Sequence, residues 1–288
     1  MNYLRALLSL SKPNIVLSVG ITGLTGMVLA SRSLPEAKII FFTMVSLIFS
    51  AAGSAMINNL IEREEDELME RLVKRVEALK LIGIKSLSFF AALLITSSLG
   101  ISLLFINYLN FFLLVLAIFS YTIYYTLFLK RSSPFGTVLG GIPGALPVII
   151  GYSAIQPEVS FHYLDVLVLF VFMMVWQPPH FWSLAQYLSD DYKKAGFPTM
   201  PIIYGQKYTN YLISIYSLAL LPISLYFWIV GIASNFYACV AIFTGALFLY
   251  FVFLSFRKTH YHKNVFLFSI FYMLIINLSL SLDIILNQ

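Results

Sequence analysis

The chain has a single cysteine, Cys239, so no intrachain disulfide can hold the fold together. Charge is scarce too. Asp, Glu, Lys and Arg make up 11% of the 288 residues, against about 25% in an average soluble domain. So few charges cannot wet the surface of a soluble fold that is 60% hydrophobic. The same apolar excess excludes a disordered chain, which lacks enough apolar surface to bury. No Arg- and Ser-rich transit segment opens the sequence, so no organellar import route is expected. The first apolar run has small and polar residues after Met27–Ala30, as a secretory signal does, but no soluble segment follows it. A polytopic membrane protein remains, and the lipid bilayer is its first expected partner. No nucleic-acid partner is expected.

What the sequence does have is long apolar runs. A hydrocarbon core of about 30 Å needs roughly 20 apolar residues in a helix. Such runs lie at 14–31, 38–60, 86–106, 108–129, 137–154, 163–186, 209–231, 236–256 and 265–286. They are long and lack period-2 alternation, so they read as helices rather than barrel strands. The expected fold is an all-α membrane protein, with nine transmembrane helices in one bundle around a central cavity. Residues 1–288 are expected to form one domain. Charge tests the count: nine crossings put every Lys and Arg except Arg32 and Lys38 on one side. Positive charge marks the cytoplasmic side. The N-terminus is therefore expected inside, the C-terminus outside, and the chain in the cell membrane.

The two longest connections, 61–85 and 187–208, both fall on that inner side. They follow the second and sixth spans, which hints at a duplicated four-helix unit. The fifth span carries Gly136, Gly140 and Gly144 at every fourth residue, a spacing that lets helices approach closely in lipid. Pro143 and Pro147 interrupt the same span, so tight packing and a cavity-lining break are both expected there.

Polar residues collect at three points. On a continuing helix, Asn58, Glu62 and Asp66 share one face at intervals of four. Two carboxylates and an amide oxygen suit Mg²⁺, which commonly bridges one or two carboxylates to a phosphate. A solvated helix end with i,i+4 ion pairs explains Glu67 and Glu70 equally well, but not Asn58 at membrane depth. Arg71, Lys74 and Arg75 follow and could neutralise a bound diphosphate. Lys130 and Arg131 end the fourth span, either as basic stop residues or as phosphate ligands. The sixth span carries Trp176-Gln177-Pro178-Pro179-His180-Phe181-Trp182, which reads as a pocket wall, with a hydrogen-bonded core histidine as the plain alternative. Asp190 and Asp191 then repeat the carboxylate theme, with helix capping as the plain alternative. Two acidic clusters on one membrane face, each with bases nearby, point to metal–diphosphate binding over an apolar interior.

These strings resemble the UbiA-type intramembrane prenyltransferases. Asn58, Glu62 and Asp66 match that superfamily's motif N-D-x-x-D-x-x-x-D, with Asn59 at the first Asp. Within the superfamily the chain is most similar to the heme-farnesylating branch. The likeness lies in Ser11-Lys12-Pro13, Leu68-Met69-Glu70-Arg71, Tyr121-Thr122, Leu129-Lys130-Arg131 and Gly140-Gly141 through Pro147. It continues in Gln177-Pro178-Pro179-His180-Phe181-Trp182, Asp191-Tyr192, Ala195-Gly196, Pro198 and Pro201.

The resemblance implies transfer of a farnesyl group from farnesyl diphosphate to the 2-vinyl group of heme b. Water adds, heme O forms and diphosphate leaves. It implies Mg²⁺ as cofactor, held by Asn58, Glu62, Asp66 and Asp191. Arg71, Arg75, Lys130 and Arg131 would bind the diphosphate, and Gln177, His180 and Trp182 the acceptor. Asp66, Asp191 and His180 would be catalytic. A heme A synthase or a terminal oxidase is implied as a possible partner. Glu62 stands where the family usually has Asp, and Leu72 and Val76 replace a usual Thr and Pro. Two rivals stand beside this reading: a sister enzyme prenylating a quinone precursor or other aromatic acceptor, and a non-catalytic heme or lipid transporter.

Overall fold

A computed structural model describes residues 1–158 and 163–287. Among them, nine helices are long and apolar enough to cross a membrane. They are α2 (Pro13–Ser31), α3 (Ala37–Ile61), α6 (Ile84–Phe105), α7 (Tyr108–Ser132), α8 (Gly136–Ile155), α9 (Tyr163–Tyr187), α11 (Met200–Ile229), α12 (Asn235–Ser255) and α13 (Tyr261–Leu286). Four short helices sit between or before them: α1 (Tyr3–Leu10), α4 (Arg63–Glu67), α5 (Val73–Ile82) and α10 (Ser189–Lys194). Part of the connection expected at 155–162 lies outside the described residues.

Each long helix packs on the next in chain order, and α13 returns to α2, which closes a ring. Contacts between α2 and α8 and between α9 and α13 cross it. The order of packing in α2, α3, α6 and α7 recurs in α8, α9, α11 and α12. In each set the polar connection follows the second helix, as a duplicated unit requires.

The tightest seam is between α2 and α8. A Cβ on Gly151 would lie 1.9 Å from Gly23 O, and one on Gly26 would lie 2.0 Å from Val148 O. Only hydrogen fits at these two positions, so backbone meets backbone where lipid offers no hydrophobic drive and dispersion must hold the helices. The glycine face expected to pack, Gly136, Gly140 and Gly144, is also tight, and it meets Leu129 O, the Tyr125 ring and the Gln177 amide.

The run expected from about 209 falls within the helical segment Met200–Ile229. That segment bends at Gly205, where φ is +82°, a conformation L side chains rarely adopt. The polar stretch Gln206-Lys207 reads as loop in the sequence, yet it is helix on the C-terminal side of that bend. At the N-terminus α1 buries Ala6 and Leu10 against Met56, Ala78, Ile82 and Leu87. Lys12 then takes a left-handed conformation (φ +54°). Pro13 disfavours a right-handed helical Lys12, so the chain turns there and the lysine points inward.

Candidate active site

The site begins where α3 ends. Asn58 lies in the last turn and is buried. Its Nδ2 donates to Thr126 Oγ1 at 3.1 Å, and its Oδ1 accepts from Lys12. Thr126 is placed by a π-helical stretch of α7, Ser120–Leu129, in which its hydroxyl donates to Tyr121 O at 2.8 Å. Such wide turns cost hydrogen-bond geometry and gather at functional sites. One turn beyond Asn58, Glu62 is buried and pairs with Lys130 Nζ at 2.6 Å. Asp66, in α4, is buried and pairs with Arg75 at 2.9 Å. Arg131 pairs with Glu65 at 2.7 Å.

The second polar connection is clasped to the first. Arg71 lies 3.6 Å from Asp191 and donates to Tyr192 Oη at 3.3 Å. Lys194 pairs with Glu70. Beneath these pairs Met69, Leu72 and Phe197 form a small buried cluster, which accounts for leucine at 72. The ammonium of Lys130 also sits 4.6 Å over the Phe197 ring, a cation–π contact that ties the end of α7 to the same clasp.

The sequence separates metal ligands from diphosphate ligands, and the structure interleaves them. Each carboxylate of the expected metal set has a cation of the expected diphosphate set as its partner: Glu62 with Lys130, Asp66 with Arg75, Asp191 with Arg71. Burial alone would raise the Glu62 carboxyl, but the Lys130 and Lys12 ammoniums outweigh it and hold it below its ordinary value. Lys12 shifts the other way. Burial, helped by Arg75, lowers it to about 7, against the pull of Glu62 and Asp66. Lys12 had no site role in the sequence reading. Its signal was present in Ser11-Lys12-Pro13, but only the fold brings residue 12 to residue 58.

Does this set suit Mg²⁺? Among the described residues no three His, Cys, Asp or Glu side chains lie close enough to form a protein-only cage. Mg²⁺ does not need one, because it keeps waters and takes one or two carboxylates plus substrate phosphate oxygens. Glu62 and Asp66 are buried and Asp191 is half-buried, and among the described residues the buried Asn59 Oδ1 has no hydrogen-bond partner. Each carboxylate has a counter-ion able to turn to phosphate when the carboxylate turns to metal. The donor chemistry fits a metal–diphosphate pair better than a bare metal.

Two further features adjoin the acids. An apolar cavity of about 480 Å³ runs between α1, α2, α3 and α6. It is lined by Pro13, Val16, Gly20 and Leu24 on one side and by Met56, Ala52 and Met44 on the other. Its walls therefore start at residues flanking Lys12 and Asn58. The third polar cluster stands apart: no hydrogen bond or ion pair joins it to the acids among the described residues. Gln177 donates to Gly141 O at 2.7 Å and so braces the interrupted start of α8. Trp182 is buried edge-on to Tyr216, and its indole nitrogen has no hydrogen-bond partner among the described residues. His180 stacks on Trp176 (centroids 4.6 Å) and shares a 2.8 Å hydrogen bond between Nδ1 and Ser269 Oγ. Ser269 spends its one proton on Phe266 O at 2.6 Å. Its oxygen must then accept from Nδ1–H, which leaves His180 Nε2 as the unprotonated nitrogen.

A ring of apolar helices with an acidic and basic clasp at one rim defines an intramembrane protein built to handle a charged head and an apolar tail together. The sequence profile of the UbiA prenyltransferase family matches residues 19–276. The chain belongs to that family. It is 42% identical to a protoheme IX farnesyltransferase of Geotalea uraniireducens (strain Rf4), over 86% of this chain and 95% of that one. Two solved structures share the fold. One is of a digeranylgeranylglyceryl phosphate synthase, with TM-score 0.78, 21% identity and 99% of both chains covered. The other is a UbiA homolog from Archaeoglobus fulgidus bound to GPP and Mg²⁺, with TM-score 0.64 and 15% identity, covering 96% of this chain and 99% of that one.

Proposed function

We propose that the protein transfers a farnesyl group from farnesyl diphosphate to the 2-vinyl group of heme b, with addition of water, giving heme O and diphosphate. One observation carries the reading: three buried or half-buried carboxylates from two connections, each matched to a cation, at one rim beside an apolar cavity. The naming of the relatives supports farnesyl as the group and heme as its acceptor.

Asn58, Glu62, Asp66 and Asp191 would hold Mg²⁺, which when bound neutralises charge on the departing diphosphate. Arg71, Arg75, Lys130 and Arg131 bind the diphosphate oxygens, and Lys12 joins them. The allylic C–O bond breaks and its electron pair leaves with diphosphate. A vinyl group is a weak nucleophile, so this ionisation precedes attack. The apolar cavity along α2 holds the prenyl tail and keeps water from the cation. The vinyl carbon then bonds to the allylic carbon, and water adds to the cation that results. His180 Nε2 takes the proton this water releases. Gln177 and Trp182 belong to the acceptor's surroundings, and Gln177 acts by holding the start of α8. Residues 1–288 act as one unit, because helices from both halves close one ring.

The site faces the cytoplasm of a cell membrane on this reading. Nearly all basic residues lie at its rim, whereas Arg32 lies at the other end and pairs with Asp165. The test is incubation of purified protein with heme b, farnesyl diphosphate and Mg²⁺, with mass analysis of the porphyrin. A porphyrin heavier by one farnesyl and one hydroxyl is expected. An unmodified porphyrin together with prenylation of a phenolic acid would replace heme by an aromatic acceptor.

A further inference from the structure

Acidic residues disappear from the last third of the chain: none occurs between Asp191 and Asp283. Asp283 is spent on the backbone NH of Ser234, at 2.6 Å, and on that residue's hydroxyl. That places it at the end of the bundle away from the clasp. Yet Lys207, Arg257 and Lys258 come together at the clasp end, where α11, α12 and α13 meet. They line a pocket of about 330 Å³ that also takes in Asn210, Thr259 and His262. None of the three cations enters an ion pair among the described residues; Arg257 only lies over the Phe253 ring, at 5.0 Å.

Orientation in the membrane would explain basic residues on a connection, but not the floor of this pocket. His262 is 2% exposed and lines it, and its Nε2 is buried with no hydrogen-bond partner among the described residues. A buried polar nitrogen left unpaired costs of order 1–3 kcal/mol. The neighbouring amides do not relieve it: Gln186 donates to Asn210 Oδ1, and Asn210 donates to Ser255 O. Three unpaired cations above one unpaired imidazole nitrogen ask for an oxyanion.

We propose that this pocket binds the oxyanion of an amphiphile, a carboxylate or a phosphate ester, at a site separate from the metal–diphosphate clasp. Two sources share that chemistry, the carboxylates of a porphyrin and the headgroup of an anionic phospholipid. α13 links the pocket to the acceptor residue. Phe266, one turn below His262, has its ring 4.9 Å from the His180 ring, and Ser269 bonds His180 Nδ1. His262 and Ser269 are seven residues apart, which is about 10 Å along the helix. An acceptor held by its carboxylates at His262 would thus extend toward His180. Only this porphyrin arm rests on the proposed reaction.

The test uses full-length protein in neutral detergent, with Arg257→Gln/Lys258→Gln and His262→Leu as separate variants. The double variant changes exposed side chains and keeps the test valid should His262→Leu fail to fold. Heme b and its dimethyl ester are titrated by absorbance, and retained phosphatidylglycerol and phosphatidylcholine are compared by native mass spectrometry. Wild type is expected to prefer the free acids or the anionic lipid by about tenfold, a typical yield of charge-assisted hydrogen bonds. Loss of the heme preference in the variants assigns the pocket to acceptor carboxylates, and loss of the lipid preference assigns it to a headgroup. Failure of wild type to take heme b at all would sink the proposed reaction but leave the lipid arm standing. Variants that match wild type in both arms would overturn the pocket.

Discussion

Two polar regions share one rim of the bundle and differ in how their charge is balanced. At the α3–α5 and α10 side, each carboxylate of the expected metal set has a named cation, and the two connections are locked together through Arg71, Tyr192 and Phe197. At the α11–α13 side, Lys207, Arg257 and Lys258 enter no ion pair among the described residues. The first region is balanced before a ligand arrives, so ligand binding exchanges partners. The second is unbalanced, so an anion supplies the missing charge. A buried pair contributes little net stability, because desolvation offsets the attraction, but losing one member is costly. The clasp should therefore answer sharply to single substitutions, and exposed pairs beside it weakly.

The strongest way to break this contrast is Asp66→Asn. It removes a buried charge and frees Arg75, and turnover should fall by about a hundredfold or more, as when one preorganised electrostatic group is lost. Far-ultraviolet circular dichroism should stay at the wild-type level. Normal turnover would remove Asp66 from the metal set. Next comes Lys130→Ala, which leaves Glu62 buried without its partner. Affinity for farnesyl diphosphate should drop by about tenfold, with Lys130→Arg recovering part of it. An unchanged apparent affinity would reduce Lys130 to a membrane stop residue.

His180→Ala sharpens the separation between clasp and acceptor. Catalytic efficiency toward heme b should fall by about a hundredfold, the lower range for a general base, while farnesyl diphosphate binding in a calorimetric titration changes little. Equal losses in both measurements would place His180 with the clasp. The smallest effect is expected at Glu67, whose pair with Lys80 is 3.2 Å long but largely exposed. Glu67→Ala should shift stability by less than about 1 kcal/mol and leave turnover as it was. A large loss of turnover there would show that the balance of the whole acidic stretch matters, not the buried pairs alone.

Much of the fold was legible in the residues. Apolar runs announce the crossings because every backbone group in lipid must be satisfied within the helix. The start of the seventh crossing was the less legible part, because Gln206 and Lys207 look like loop, yet they are helical just past the bend at Gly205. The α2–α8 seam was missed for a related reason. Gly23, Gly26 and Gly151 are unremarkable singly, and their use appears only once the two backbones touch. Of the expected site, the metal-set carboxylates and the diphosphate-set cations were named, but not their pairing. Lys12 stood in the Ser11-Lys12-Pro13 string without a site role, and Thr126 and Ser269 escaped notice, since hydroxyls in apolar helices carry no local mark.

The sequence by itself determined the nine crossings, the gathering of base at one end and the kinds of polar group available there. Hydropathy and charge act residue by residue against the bilayer, so they can be read along the chain. Tertiary structure alone decided which acid meets which base, that residue 12 reaches residue 58, and that α13 carries His262 and Ser269 on the side facing α9. Those choices depend on distances between residues far apart in the chain, which close only when the ring does.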